Sequence, residues 1–327
     1  MRTLNLLTLA TLLIGCGDDD GSSTPDAPAG PVSIVATAQA TESLSTLVAA
    51  VEFASDNGDL VNLLSSPGTL TVFAPTNAAF DALAVELTEN PNAKGADLLT
   101  ATNKPLLRQV LQYHVLTTEV GSSAIPFGKA ITTAEGSIFK IEAGTPPKIV
   151  DGRNRMANIT ATDIDASNGV VHVIDKVILP ADKNIVEVAQ AAGDATPPEF
   201  TVLVEAVVAA GLVPTLSGAG PYTVFAPTDA AFGELLDELN LTKEQLLADD
   251  ELLPEVLKYH VVSGRVLKAD VPVGTAITTV QGATLTVDAS LAITDQRARK
   301  ANIVATDVFA KNGVIHVIDK VILPPAP

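Results

Sequence analysis

Histidine and aspartate stand three residues apart in Asn168-Gly169-Val170-Val171-His172-Val173-Ile174-Asp175-Lys176. That pairing suits proton transfer, metal ligation or a buried structural bond. The surrounding letters decide between them. Valine and isoleucine on both sides of His172 predict a strand over Val170–Leu179, apolar on both faces and so covered on both. Side chains alternate along a strand, so an odd separation sends His172 and Asp175 to opposite faces. They form no local catalytic pair, and His172 is expected to be buried with its ring satisfied by hydrogen bonds.

The same stretch returns as Asn312-Gly313-Val314-Ile315-His316-Val317-Ile318-Asp319-Lys320, and the rest of the chain repeats with it. TVFAPTNAAF at 71–80 matches TVFAPTDAAF at 223–232. Tyr113-His114-Val115 matches Tyr259-His260-Val261, and ANITATDIDASNG at 157–169 matches ANIVATDVFAKNG at 301–313. The blocks keep their order, and the period is far too long for a solenoid. The chain therefore divides into two copies of one domain, 31–180 and 181–325, joined by Pro180-Ala181-Asp182-Lys183.

Each copy reads as helices followed by strands, which is an α+β domain. Helical spacing of Leu44, Leu47, Val48 and Val51 predicts a helix over Ser43–Ala54. Thr69–Ala74 reads as a strand stopped by Pro75. Thr76 or Asn77, and Thr228 or Asp229 in copy two, then cap a helix, so these threonines are caps and not nucleophiles. A further helix covers Leu106–Tyr113. Strands are expected at Ala130–Thr133, Ser137–Glu142, Lys148–Asp151, Ile159–Ile164 and Val170–Leu179. Asn168-Gly169 and Asn312-Gly313 read as two-residue hairpin turns with positive φ.

Other candidates for chemistry are few. All four histidines fall at matched positions: His114 with His260, and His172 with His316. Two histidines per copy, with no cysteine beside them, do not supply the three or four ligands of a metal site, and no cofactor is implied. Asp151, Arg153 and Arg155 match Asp295, Arg297 and Arg299. As strand residues at i, i+2 and i+4, each set would share one face, offering an anion or glycan contact or a structural ion pair. No nucleophile-elbow, phosphate-loop or zinc-protease motif is present.

The chain has 38 acidic and 20 basic residues, a net charge of -18. A nucleic-acid partner needs a basic stripe, so that class is excluded. The first 15 residues carry Arg2 and an apolar run, Leu4–Ile14, too short to span a bilayer. They read as an export signal. Leu13-Ile14-Gly15-Cys16 resembles the bacterial lipobox. That resemblance implies a lipid anchor on Cys16, the only cysteine, and export to the outer membrane, cell surface or periplasm. Residues 16–30, acidic and rich in Gly and Pro, read as a disordered tether.

The ordered blocks, T-V-F-A-P-T-[ND]-x-A-F, Tyr-His and N-G-V-[VI]-H-V-I-D-K-V-I-L, resemble the fasciclin (FAS1) domain, present twice. The resemblance implies a β-wedge core with helices packed around it, and non-catalytic adhesion at a cell surface or in a matrix. In animal members the neighbourhood of the Tyr-His pair is implicated in integrin binding. That maps an interaction role onto Tyr113, His114, Tyr259 and His260. The longer integrin motifs of those members are not present in this sequence. The expected function is an adhesive lipoprotein whose partner is a surface protein or polysaccharide. The alternatives are a small-ligand or glycan binder using Arg153 and Arg155, and a hydrolase.

Overall fold

The computed structural model describes residues 32–196 and 199–326. The export signal, Cys16 and the tether lie outside the described residues. In copy one, helices α1 (Ile34–Gln39), α2 (Ser45–Ala54) and α3 (Asp59–Ser65) precede strand β1 (Leu70–Pro75). Helices α4 (Asn77–Thr88) and α5 (Lys104–Tyr113) follow. Strands β2 (Val115–Leu116), β3 (Ala130–Thr132), β4 (Ile138–Glu142), β5 (Lys148–Val150), β6 (Met156–Ala166) and β7 (Gly169–Ile174) complete the domain. Copy two runs through α6 (Ile185–Gly193), α7 (Thr201–Ala209), α8 (Val213–Leu216), β8 (Tyr222–Pro227), α9 (Asp229–Leu239), α10 (Lys243–Leu247) and α11 (Leu252–Tyr259). It ends with β9 (Val261–Ser263), β10 (Ala276–Thr278), β11 (Thr284–Val287), β12 (Ala292–Thr294), β13 (Lys300–Ala310) and β14 (Gly313–Ile318).

Each domain holds one seven-stranded sheet, ordered β2-β1-β7-β6-β5-β4-β3 in copy one and β9-β8-β14-β13-β12-β11-β10 in copy two. Among the described residues only β1 with β7, and β8 with β14, pair in parallel. The long strand β6 bends the sheet. Its start pairs with β5 and its end with β7, and the register slips twice between Ile159 and Ile164. Asp163 sits in that bulge with φ 57°, and Asp307 in the matching bulge with φ 60°. Such a bulge re-aims the strand and lets the sheet fold into a wedge.

The central strands are buried on both sides. Val72, Ala74 and Val171 face the helices, packed with Leu47, Val51, Phe80, Leu107 and Val110. Phe73 and Ile174 face the inside of the wedge, among Tyr113, Phe139, Ile141 and Ile149. Phe139 meets Phe73 and Tyr113 edge to face, with centroids 5.3 Å and 5.9 Å apart. That is the arrangement favoured by the ring quadrupoles, and each ring contributes about 2–3 kcal/mol by burial. Thr76 and Thr228 do cap α4 and α9, accepting from the N–H of Ala79 and Ala231.

Two local expectations need correction. Strand β7 stops at Ile174 rather than at Leu179, because Asp175 turns away to accept from the N–H and side-chain amide of Asn158. Nor do Asn168 and Gly169 form the turn. Ala166 pairs with Gly169, so the turn residues are Ser167 and Asn168, and Asn168 has no positive φ. Its side chain instead ties distant segments together: Oδ1 accepts from Ile34 N–H, and Nδ2 donates to the carbonyls of Leu64 and Ser66. The glycine is needed because β1 lies against it: a Cβ at Gly169 would stand 2.0 Å from the Leu70 oxygen.

The domains meet along a seam. Ile138 and Val150 of copy one pack with Leu267, Phe309 and Val314 of copy two. The Asn154 amide clasps the Phe309 backbone, donating to its oxygen at 3.1 Å and accepting from its N–H at 2.6 Å. Lys140 donates to Asp307 at 2.9 Å, and these two side chains are only 7% and 3% exposed. The linker lies on Gly152, whose N–H donates to Leu179 and where a Cβ would fall 2.2 Å from Ala181 N.

Candidate functional site

The Tyr-His pair lies where α5 runs into β2, and the fold turns both side chains inward. Tyr113 and Tyr259 are 0% exposed, and His114 and His260 are 2% exposed. The Tyr113 hydroxyl donates to Ile138 O at 2.7 Å and accepts from Gly152 N–H at 2.9 Å. Tyr259 donates to Thr284 O at 2.8 Å. Burial raises both phenols, Tyr259 to about 12. Neither hydroxyl is poised to give up a proton near neutral pH.

The histidines are likewise bound to backbone. His114 Nδ1 lies 2.7 Å from Val110 O and its Nε2 accepts from Ile178 N–H at 3.1 Å, which assigns the proton to Nδ1. His260 repeats this with Val256 O and Ile322 N–H. Burial pushes both rings down to about 4. His172 uses the opposite tautomer. Its Nδ1 accepts from Asp163 N–H at 3.2 Å and its Nε2 donates to Val120 O at 2.8 Å. His316 matches it with Asp307 N–H and Val266 O, and burial lowers its pKa. All eight ring nitrogens are engaged by main chain, so each ring is a cross-brace. Among the described residues no three His, Cys, Asp or Glu side chains cluster to hold a metal ion.

The arginine row is not a strand face. Strand β5 ends at Val150, and Asp151 to Arg155 fold into a turn around the Asp151 carboxylate, with Asn154 at φ 62°. Asp151 Oδ1 accepts from the N–H groups of Arg153 and Arg155, and Oδ2 from Arg155 Nε and Leu179 N–H. Asp295 repeats three of these bonds, with Arg297, Arg299 and Leu323. Arg155 continues to Glu86 at 2.9 Å, and Arg299 to Glu238 at 2.9 Å. These two are structural pairs, each tying the turn to a helix. Arg297 Nε donates to Pro324 O. Arg153 alone reaches the seam, where it pairs with Asp182 of the linker at 3.0 Å.

What reading the repeats missed is the set that joins them: Lys140, Asn154, Arg265, Asp307 and Phe309. The signal lay in the differences between copies. Phe309 stands where copy one has Asp165, and Lys140 where copy two has Thr286. Two clefts flank the linker at this seam. One of about 300 Å³ is lined by Arg153, Asn154, Asp182, Lys183 and Phe309. The other, about 90 Å³, is lined by Ser137, Ala181, Arg265, Phe309 and Lys311.

The sequence matches the family model for the fasciclin domain at residues 42–180 and again at 198–324. Transforming growth factor-beta-induced protein ig-h3 of Sus scrofa is 32% identical over 80% of this chain and 35% of its own length. The chain thus spans about a third of that relative. Cell surface glycolipoprotein MPB83 of Mycobacterium bovis is 43% identical over 35% of this chain and 49% of its own length. The FAS1 domain pair of the insect cell adhesion molecule Fasciclin I aligns with 86% of the chain and 97% of its own, at 17% identity and a TM-score of 0.41. Two matched segments, carrying the same buried Tyr-His brace and the same carboxylate-locked turn, place this chain in the fasciclin domain family.

Proposed function

We propose that the chain is a lipoprotein displayed at a bacterial surface or in the periplasm, where its two fasciclin domains act as a non-catalytic adhesive module. The duplicated fasciclin domain carries this reading. The side chains that could do chemistry support it, since every histidine and both Tyr-His tyrosines hold the backbone in place. The buried Tyr-His pair then supports the adhesive surface from beneath, and the contact itself is made by the exposed rim around it. The similarity to a mycobacterial cell surface glycolipoprotein supports the anchor on Cys16. Two domains fixed side by side present two weak contacts in constant geometry, which raises affinity by effective concentration.

The test expresses the full chain and its Cys16→Ser variant in an exporting bacterium. Labelled palmitate should enter the first and not the second, and external protease should remove a surface-displayed protein from intact cells but reach a periplasmic one only after the outer membrane is opened. Cells displaying the wild type should adhere to protein-coated or polysaccharide-coated surfaces better than cells expressing the unanchored variant. Equal adhesion with or without the protein would refute the reading. Deleting domain 2 is a poor substitute, because it would uncover Ile138, Val150 and Lys140.

A further inference from the structure

The seam concentrates positive charge in a strongly negative chain. Arg153, Lys183, Arg265 and Lys311 line the two clefts that flank the linker, against the single carboxylate of Asp182. Asp182 is already engaged by Arg153. Among the described residues Lys183, Arg265 and Lys311 make no ion pair at all. The Nε atoms of Arg153 and Arg265 are buried without a hydrogen-bond partner. Burial also draws the Arg265 guanidinium below its ordinary value. A buried donor left unpaired costs about 1–3 kcal/mol, so such groups in native structures call for an acceptor. The larger cleft, about 300 Å³, has room for one sugar ring, and Val188 and Ala191 offer it an apolar wall.

We propose that the seam between the two domains is a binding site for the carboxylate-bearing sugars of an acidic polysaccharide. This rests on the adhesive reading and narrows its partner. Arg153 lines the larger cleft and Arg265 its smaller neighbour, so the two guanidinium forks would take carboxylates of successive sugars, and the two exposed lysines add long-range attraction. Neither domain alone carries the site: Arg153 comes from copy one, and Arg265 and Lys311 from copy two. Binding would therefore depend on the pair being locked.

Calorimetric titration of the full chain in non-ionic detergent tests this, with tetragalacturonate as probe and maltotetraose as the neutral control. Tetragalacturonate should bind, weakening as salt rises, and maltotetraose should not. Arg265→Gln should weaken binding about tenfold, the loss of one charge-assisted hydrogen bond. Lys183→Gln and Lys311→Gln, at exposed positions outside the seam packing, should each weaken it about threefold with unfolding temperature unchanged. No binding of tetragalacturonate, equal binding of maltotetraose, or full affinity in the Arg265 and lysine variants would overturn the proposal. Adhesion of displaying cells separates the two readings. Adhesion unaffected by all three variants removes the seam site and leaves the adhesive module. Titrations that behave as expected without any adhesion leave the seam site and remove the adhesive function.

Discussion

Lys140→Met is the sharpest test of how the two domains are held. Lys140 and Asp307 are almost fully enclosed, so the substitution strands a carboxylate in the seam. Removing one partner of a buried pair costs about 3–5 kcal/mol. The lower end applies, because Asp307 keeps the N–H of Lys268 at 2.7 Å. Glu142, the other partner of Lys140, is 44% exposed and returns to water without penalty. A loss of about 3 kcal/mol lowers the unfolding temperature of a domain this size by about 6–12 °C. Scanning calorimetry should show domain 2 melting earlier and separating from domain 1. Adding Asp307→Asn to Lys140→Met should restore at least half of the loss, since no charge is then left stranded. A shift under about 2 °C, or a double variant worse than the single, would refute the idea that this pair locks the seam.

Two further outcomes follow from the braces and the turns. His114 and His260 are held near 4, below their usual 6.5, so the unfolded chain binds protons that the folded one refuses. Their contribution is complete above about pH 6.5 and is lost as pH falls through 4, about 3 kcal/mol for each ring. Thermal melts from pH 7 to 4 should show this decline, to which the lowered His316 adds, and His114→Gln should make the slope measurably shallower without abolishing it; a flat profile would contradict the assignment. Gly169→Ala should cost about 3 kcal/mol through its clash with the Leu70 carbonyl, whereas Gly233→Ala in α9, where nothing stands within 4 Å, should stabilise by about 1 kcal/mol. Urea unfolding of both variants measures the contrast.

The elements fixed by local pattern were readable from the letters. Helix α2, a cap at Thr76 or Asn77, strand β1, the two-faced strand β7 and the inward His172 all follow from spacing and residue type. The failures share a cause, which is that a short-range signal had a long-range purpose. Asn168-Gly169 looks like a turn, yet Asn168 bonds to segments more than 100 residues away and Gly169 yields space to β1. Asp151, Arg153 and Arg155 alternate like a strand face, yet Asp151 folds the chain around its own carboxylate. Asn154 hinted at this turn, since asparagine tolerates left-handed backbone, but Ala298 takes the same conformation in copy two with no such hint. Tyr113-His114 carries the family resemblance, and its burial is legible only once Ile178 and Gly152 are seen to lie against it.

The seam shows how a duplication becomes one module. Both copies place an aspartate in the β-bulge, with its N–H on a histidine and its carboxylate on a neighbouring N–H: Asp163 with His172 and Ser122, Asp307 with His316 and Lys268. In copy one that carboxylate also binds the Ser122 hydroxyl and stays at the surface. In copy two it takes a lysine from copy one. Three divergent positions make the difference: Lys140 against Thr286, Phe309 against Asp165, and Gly152 against Gln296. The first supplies the charge, the second the apolar plug, and the third the space for the linker. A further domain docking on copy one by the same contact would meet Asp165 in place of the plug. A domain receiving copy two would meet Thr286 in place of the lysine. The contact that joins these two copies is therefore directional, and the order of the copies is part of the structure.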